Sequence, residues 1–262
     1  MRDKETTLSR TMMITGAGQG IGLTTARFFA QKGWRVGLYD IDSDKIAQVL
    51  DHDDFIHCFG GACDVTDDES VADALQHFAE YANDTMDVLI NNAGVLSAGA
   101  FEELDFHQQH KMVEVNVSGV MRMAHAAFPL LADTPNSCMV NLCSASSIHG
   151  VPTLAVYSST KFFVNGFTEA LALEWERHGI QVSCVKPPII KTTMGAAAEQ
   201  YLKGGPAALE PIMVAQTIEK AIAEGGISYF VGGGLGLWSW LNGFLPAGAR
   251  TWMAKKVLGY EL

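Results

Sequence analysis

Met12-Met13-Ile14-Thr15-Gly16-Ala17-Gly18-Gln19-Gly20-Ile21-Gly22 decides the fold: an apolar run breaks into alternating glycines and resumes as Leu23 to Lys32 with helical spacing. The pattern predicts a strand from Leu8 to Thr15, a tight turn, and a helix from Gly20 to Lys32. Glycines in such a turn admit positive φ and let a ligand approach with no Cβ in the way. The free N–H groups of the following helix then face an anion such as a diphosphate. Any tight strand-to-helix connection accepts two glycines, so the flanking sequence has to discriminate. Trp34 to Tyr39 reads as a second strand ending on Asp40, eighteen residues beyond Gly22. An acid at that strand end accepts the two ribose hydroxyls of an adenosine and repels a 2′-phosphate.

The same alternation continues along the chain. A short helix from Lys45 to Leu50, capped by Asp42 or Ser43, leads to a third strand within Phe55 to Val65, and a helix from Asp67 or Asp68 runs to Ala82. Met86 to Ile90 is an apolar strand ending in Asn91-Asn92-Ala93-Gly94, followed by a long helix from about Asp105 to Leu131 with a break near Pro129. Ser137 to Cys143 and Ile180 to Val185 are further strands. Between them Tyr157 to His178 is a helix with Phe162, Phe163, Phe167, Leu171 and Trp175 on its apolar side. Ala207 to Ala223 is the last helix before a strand from Ser228 to Val231. Strands alternating with crossover helices make an α/β protein with a doubly wound parallel sheet, whose ligands sit at the carboxyl ends of the strands. Gly16, Asp40, Asp64, Asn91 and Ser144 fall there. Without a repeat or linker, 1–262 reads as a single domain with a core over 8–231 and a C-terminal extension over 232–262.

The 262 residues are 48% hydrophobic and carry a formal net charge of -11, which argues against a nucleic-acid surface. Cys58, Cys63, Cys138, Cys143 and Cys184 lack metal-knuckle spacing and read as buried small hydrophobes of a reducing, cytoplasmic compartment; no metal is expected. Met1 to Arg10 has no apolar leader segment. Gly225 to Ala249 has no charged residue, but its glycines and Pro246 interrupt any membrane span.

Tyr157 and Lys161 lie four residues apart on one helical face, where an ammonium lowers a phenol's pKa from about 10 towards neutrality. Ser144 follows the strand ending at Cys143 and reaches the same point from the adjoining crossover.

From Leu8 to Val231 the chain resembles the short-chain dehydrogenase/reductase family, whose fold is the Rossmann-type sheet. Thr15-Gly16 with Gly20-Ile21-Gly22 resembles its nucleotide fingerprint, and Asp64-Val65 its adenine-contacting pair. Asn92-Ala93-Gly94 within the fourth-strand motif is similar to the family's, and Asn116, Ser144, Tyr157 and Lys161 match its catalytic tetrad. The resemblance implies hydride transfer between NAD(H) and a secondary alcohol or ketone, with Tyr157 as general acid or base and Ser144 polarising the substrate oxygen. Lys161 would bind the nicotinamide ribose, and Asn116 would hold a helix irregularity. Gln19, Pro187, Ile189 and Thr192 would complete the cofactor site, although Pro188 stands where the family usually has glycine. Ser146, His149, Leu154 and 194–201 would line a pocket suited to a moderately hydrophobic substrate. A cofactor-retaining epimerase or dehydratase, or a non-catalytic nucleotide-binding protein, would share the fold; neither accounts for the complete tetrad better.

The tail departs from the family plan. Leu237, Trp238, Leu241, Phe244 and Leu245 recur at helical spacing with Arg250, Lys255 and Lys256 just beyond, so an apolar face is expected to cover the substrate cleft or a second subunit of a homodimer or homotetramer. The acidity of the whole chain and the breaks at Gly243 and Pro246 weigh against a membrane-surface contact.

Overall fold

The computed structural model describes residues 9–201 and 207–258. Seven strands, β1 (Thr11–Thr15), β2 (Arg35–Asp40), β3 (Phe59–Ala62), β4 (Val88–Asn91), β5 (Cys138–Leu142), β6 (Gln181–Lys186) and β7 (Ser228–Phe230), form one sheet in the order β3-β2-β1-β4-β5-β6-β7. Every pairing is parallel, with Thr11 opposite Arg35, Met12 opposite Val88 and Cys184 opposite Ser228 in register. The switch in strand order lies between β1 and β4, so the ends of these two strands open a crevice.

The pleat divides the core into two layers, because successive side chains of a strand point to opposite faces. Met12 and Ile14 pack with Phe29 of α1 (Gly20–Ala30), Ile46 of α2 (Ser43–Leu50) and Val214 and Ile218 of α8 (Pro211–Glu224). Met13 and Leu89 pack on the other face with Phe78 of α3 (Asp68–Ala82), Met123 and Leu131 of α5 (Val120–Asp133) and Leu171 of α6 (Ala155–Glu174). Local chemistry sets the helix ends: Asp42 accepts from Lys45 N, Asp67 accepts from Ser70 N, and Gly225 closes α8 at φ 71.

Several expected boundaries move. The long helix after β4 is α4 (Phe106–Val113), a π-helical stretch (Glu114–Gly119) and α5, so its irregularity surrounds Asn116 and the helix runs straight through Pro129. His125, whose carbonyl loses its partner at Pro129, and Pro129 itself are exposed, so the proline falls on the solvent side of the helix and not in the core. α6 ends at Glu174, with a separate turn at Glu176–His178, and Phe162 is exposed instead of joining the apolar side. β3 starts at Phe59 because Asp53–Phe55 forms a short turn. α8 begins at Pro211 because Leu209 is held extended, donating to Ile189 O at 2.9 Å and accepting from Lys191 N at 2.8 Å. Cys58 is only half-buried, whereas the other four cysteines are buried and all five are free. Leu8 lies outside the described residues. A short helix absent from the sequence reading, α7 (Thr193–Glu199), follows β6; the tail forms α9 (Leu235–Phe244) and α10 (Ala247–Leu258).

Candidate active site

A cleft of about 1070 Å³ opens at the carboxyl ends of the strands. The catalytic, cofactor and substrate residues singled out from the sequence line it except Asn116, which lies behind the wall; of 194–201 only Met194, Gly195 and Ala198 reach it, and Thr15 and Gly22 of the fingerprint lie beneath it.

At one end the glycine turn is packed too closely for any side chain. A Cβ on Gly22 would lie 2.2 Å from the Gly16 carbonyl oxygen and 2.6 Å from Asn92 Nδ2; Gly16 has φ +65 and would put a Cβ 2.8 Å from Ala93 Cα. β1 and β4 are tied behind the turn: Asn92 Nδ2 donates to Thr15 O and Gly16 O at 2.9 Å each, and Ala93 N donates to Thr15 Oγ1 at 3.1 Å. Asp40 is fixed at the end of β2, where Oδ2 accepts from Gly18 N at 2.9 Å and Oδ1 from Asp42 N at 3.2 Å. Asp64 is held similarly, Oδ1 accepting from Thr66 N at 2.9 Å.

At the other end the tetrad residues converge from three elements. Asn116 is fully buried in the π-helical stretch; its Oδ1 accepts from Val95 N at 2.9 Å, and its Nδ2 donates to Val95 O at 2.9 Å and Thr160 Oγ1 at 3.2 Å. The widened turn therefore clamps the segment after β4 to α6. Ser144 follows β5, its Oγ accepting from Ser146 N at 3.1 Å, and lines the cleft together with Tyr157. Lys161 is buried, its Nζ donating to Leu142 O at 2.8 Å and lying 5.7 Å from the centre of the Tyr157 ring.

That geometry corrects the expected electrostatics. Burial pushes the Tyr157 phenol up to about 12; charge on Cys143 adds to this and the Ser144 hydrogen bond opposes it. The phenol is not lowered towards neutrality: its burial prevails, Lys161 Nζ is drawn to Leu142 O at 2.8 Å, and burial holds the lysine's own pKa down. Cys143 turns into the protein, its Sγ 3.2 Å from both Ser147 Oγ and Lys161 O, which fits packing.

The two prolines after β6 leave the wall intact: Pro187 O accepts from Ala145 N at 2.8 Å, and Thr192 caps α7 by accepting from Gly195 N at 3.0 Å. Beyond Tyr157 the lining is mainly apolar, including Leu96, Ile148, Val151, Leu154 and Met194. Ser146 Oγ is buried without a partner, and His149 Nδ1 is 2.8 Å from Gly150 O. Leu235 and Trp238 of α9 also line the cleft, and Asn242 Nδ2 anchors that helix to Ile148 O at 3.0 Å. Trp238, expected on a tail face that covers the cleft or a second subunit, does line the cleft, whereas Leu237, Leu241, Phe244 and Leu245 of the same expected face do not.

The glycine cradle, the Asp40 carboxylate and the continuous cleft fit a nicotinamide dinucleotide. The short chain dehydrogenase family model matches residues 10–202. D-threitol dehydrogenase of Mycolicibacterium smegmatis is 32% identical over 192 residues, 71% of this chain and 72% of its own. The crystal structure of a 3-ketoacyl-(acyl-carrier-protein) reductase from Brucella melitensis complexed with NADH matches with a TM-score of 0.79 and 25% identity, over 86% of this chain and 98% of that one. A gluconate 5-dehydrogenase from Burkholderia cenocepacia in complex with NADP and tartrate gives a TM-score of 0.77 at 27% identity, over 87% and 95% of the two chains.

Proposed function

This chain belongs to the short chain dehydrogenase family and is an NAD(P)-dependent oxidoreductase of alcohols and ketones; on that premise we propose that it uses NAD(H), takes a moderately hydrophobic secondary alcohol or ketone, and moves the proton through Tyr157. The observation that carries this reading is that Ser144, Tyr157 and Lys161 stand on the wall of the same cleft that Gly16 and Asp40 line.

When bound, the nicotinamide supplies or accepts the hydride at the substrate carbon. The protein does the rest. Gly16, Gly20 and the N-terminus of α1 receive the diphosphate, and Asp40 receives the adenosine ribose. Ile189 and Thr192 border the nicotinamide end, and Lys161 binds its ribose. Ser144 Oγ already accepts from Ser146 N, so its hydroxyl hydrogen serves the substrate oxygen. In carbonyl reduction Tyr157 gives its phenolic proton to that oxygen as the carbon gains the hydride; in alcohol oxidation the phenolate takes the proton back. A phenol raised to about 12 stays protonated at neutral pH, so it holds the proton that carbonyl reduction needs. The apolar walls select a substrate with little charge, and Ser146 and His149 supply the few polar contacts at hand.

The test is Tyr157→Phe in both directions. NADH affinity should stay within about threefold while turnover falls by about a thousandfold. Near-full turnover would remove Tyr157 from the mechanism. The reading extends to a homo-oligomer: Phe106 of α4, Met121 of α5 and Phe162 of α6 are exposed apolar residues that a second copy would cover, and light scattering gives the mass directly.

A further inference from the structure

α9 has two distinct faces. Leu235, Trp238 and Asn242 turn to the protein, two of them onto the cleft and the third onto Ile148 O. Leu237, Trp240, Leu241 and Phe244 occupy the opposite arc, about 100° wide at 100° per residue, and are 62%, 62%, 40% and 73% exposed. Trp240 and Phe244 stack as a tilted pair with ring centres 4.9 Å apart. Large apolar residues rarely stand so exposed together without something to cover them.

Charge indicates what covers them. From Gly225 to Tyr260 there is no acidic residue, and the only charged ones are Arg250, Lys255 and Lys256. The net charge of -11 is therefore that of a body at -13 over 1–224 and a tail at +2 over 225–262, so the tail is a cationic, aromatic element attached to an acidic body. Isologous packing of α9–α10 against the same helices of a second copy would set two cationic helix pairs against each other, with Glu261 the tail's one acidic side chain. Docking of the tail on another copy's acidic body would close as a reciprocal exchange between two copies, an outcome that a mass measurement by light scattering reads. No described helix is long and apolar enough to cross a membrane.

We propose that α9 and α10 dock on an anionic lipid surface, with Trp240 and Phe244 seated at the headgroup boundary and Arg250 and Lys255 against lipid phosphates. This reverses the ordering drawn from composition, where the acidity of the whole chain weighed against such contact. Because the inner face of α9 roofs the cleft, docking sets the cleft beside the bilayer, so an apolar alcohol or ketone enters from lipid; that consequence alone rests on the proposed activity.

Sedimentation of the full chain with vesicles tests the docking without any turnover assay. Binding should be strong to vesicles of equal parts phosphatidylcholine and phosphatidylglycerol and weak to phosphatidylcholine alone. Arg250→Glu with Lys255→Glu should lower it by at least about 25-fold, at about fivefold per cation. Trp240→Ser with Phe244→Ser should abolish it while leaving turnover of a water-soluble alcohol unchanged, since neither residue lines the cleft. Added salt should release the unmodified chain, a readout that needs no variant. Failure to sediment with anionic vesicles overturns the proposal, as does binding that neither salt nor the variants weaken. A lower mass of Trp240→Ser with Phe244→Ser by light scattering would also overturn it, making the face a seat for a second copy.

Discussion

On the proposed reading Asp40 sets the preference for NAD over NADP, and its replacement tests the adenosine end of the site. The carboxylate is bonded to Gly18 N at 2.9 Å and Asp42 N at 3.2 Å, so it cannot swing away from a 2′-phosphate without giving up both bonds. Two like unit charges about 5 Å apart repel by about 0.8 kcal/mol in water and about 3 kcal/mol at an effective dielectric of about 20. A phosphate monoester carries about -1.5 to -2. For a half-buried acid at the cleft rim the sum comes to about 3 kcal/mol, or roughly a hundredfold preference for NAD over NADP. Lys45 could offset this, but it is exposed and its Nζ is 3.0 Å from Asp42 Oδ2, so its charge is already answered. Asp40→Ser should weaken NADH about tenfold through the lost charge-assisted hydrogen bonds and strengthen NADPH, closing the gap to less than about fivefold. Titration of both reduced cofactors by fluorescence gives the four dissociation constants. Equal affinities in the unmodified protein, or an unchanged gap in Asp40→Ser, would refute the reasoning.

Other outcomes follow from the same geometry. With the Tyr157 phenol up near 12, alcohol oxidation needs a base form that becomes tenfold scarcer per unit below that value, so log kcat/KM for oxidation should climb with a slope near one from about pH 6 to about pH 10. A plateau near neutrality would contradict the burial-raised phenol. Because the folded value exceeds the ordinary 10, Tyr157 contributes stability that is intact below about pH 10 and is lost as pH rises towards 12; alkaline melting curves follow it. Gly22→Ala should cost about 3 kcal/mol or prevent folding, because its Cβ meets the Gly16 carbonyl oxygen at 2.2 Å. Gly166→Ala, in α6 with open space around it, should raise stability by up to about 1 kcal/mol by chemical denaturation. Burial lifts the Cys63 and Cys138 thiols to about 12, so both should resist a thiol reagent in the native chain and react only on unfolding.

The parts of the fold that are legible in the sequence are those in which a local stretch carries its own reason. Gly16 to Gly22 must turn tightly, Asp40 must end a strand, and Asp42 and Asp67 cap whatever helix follows them. Properties set by distant packing are not legible locally. Pro129 looks like a helix breaker until its neighbour His125 is seen to face water, and the true irregularity at Glu114–Gly119 depends on Asn116 finding the backbone of Val95 across the layer. Spacing places Lys161 on the Tyr157 face of α6, but the Leu142 carbonyl that captures its ammonium belongs to β5. The tail shows the same limit: spacing groups Trp238 with Leu237, Leu241 and Phe244 on one face, and only the packed structure sends Trp238 to the cleft and the other three to the surface.

The central claim is direct transfer of hydride between substrate carbon and NAD(H) in this cleft, with the proton handled by Tyr157. The decisive measurement uses a panel of secondary alcohols deuterated at the carbinol carbon, with NAD, reading deuterium in the NADH formed by mass spectrometry. The unmodified chain should yield NADH carrying one deuterium per ketone released, and Tyr157→Phe should yield about a thousandfold less of both. Ketone formed with unlabelled NADH, or labelled NADH formed equally fast by Tyr157→Phe, would contradict the account.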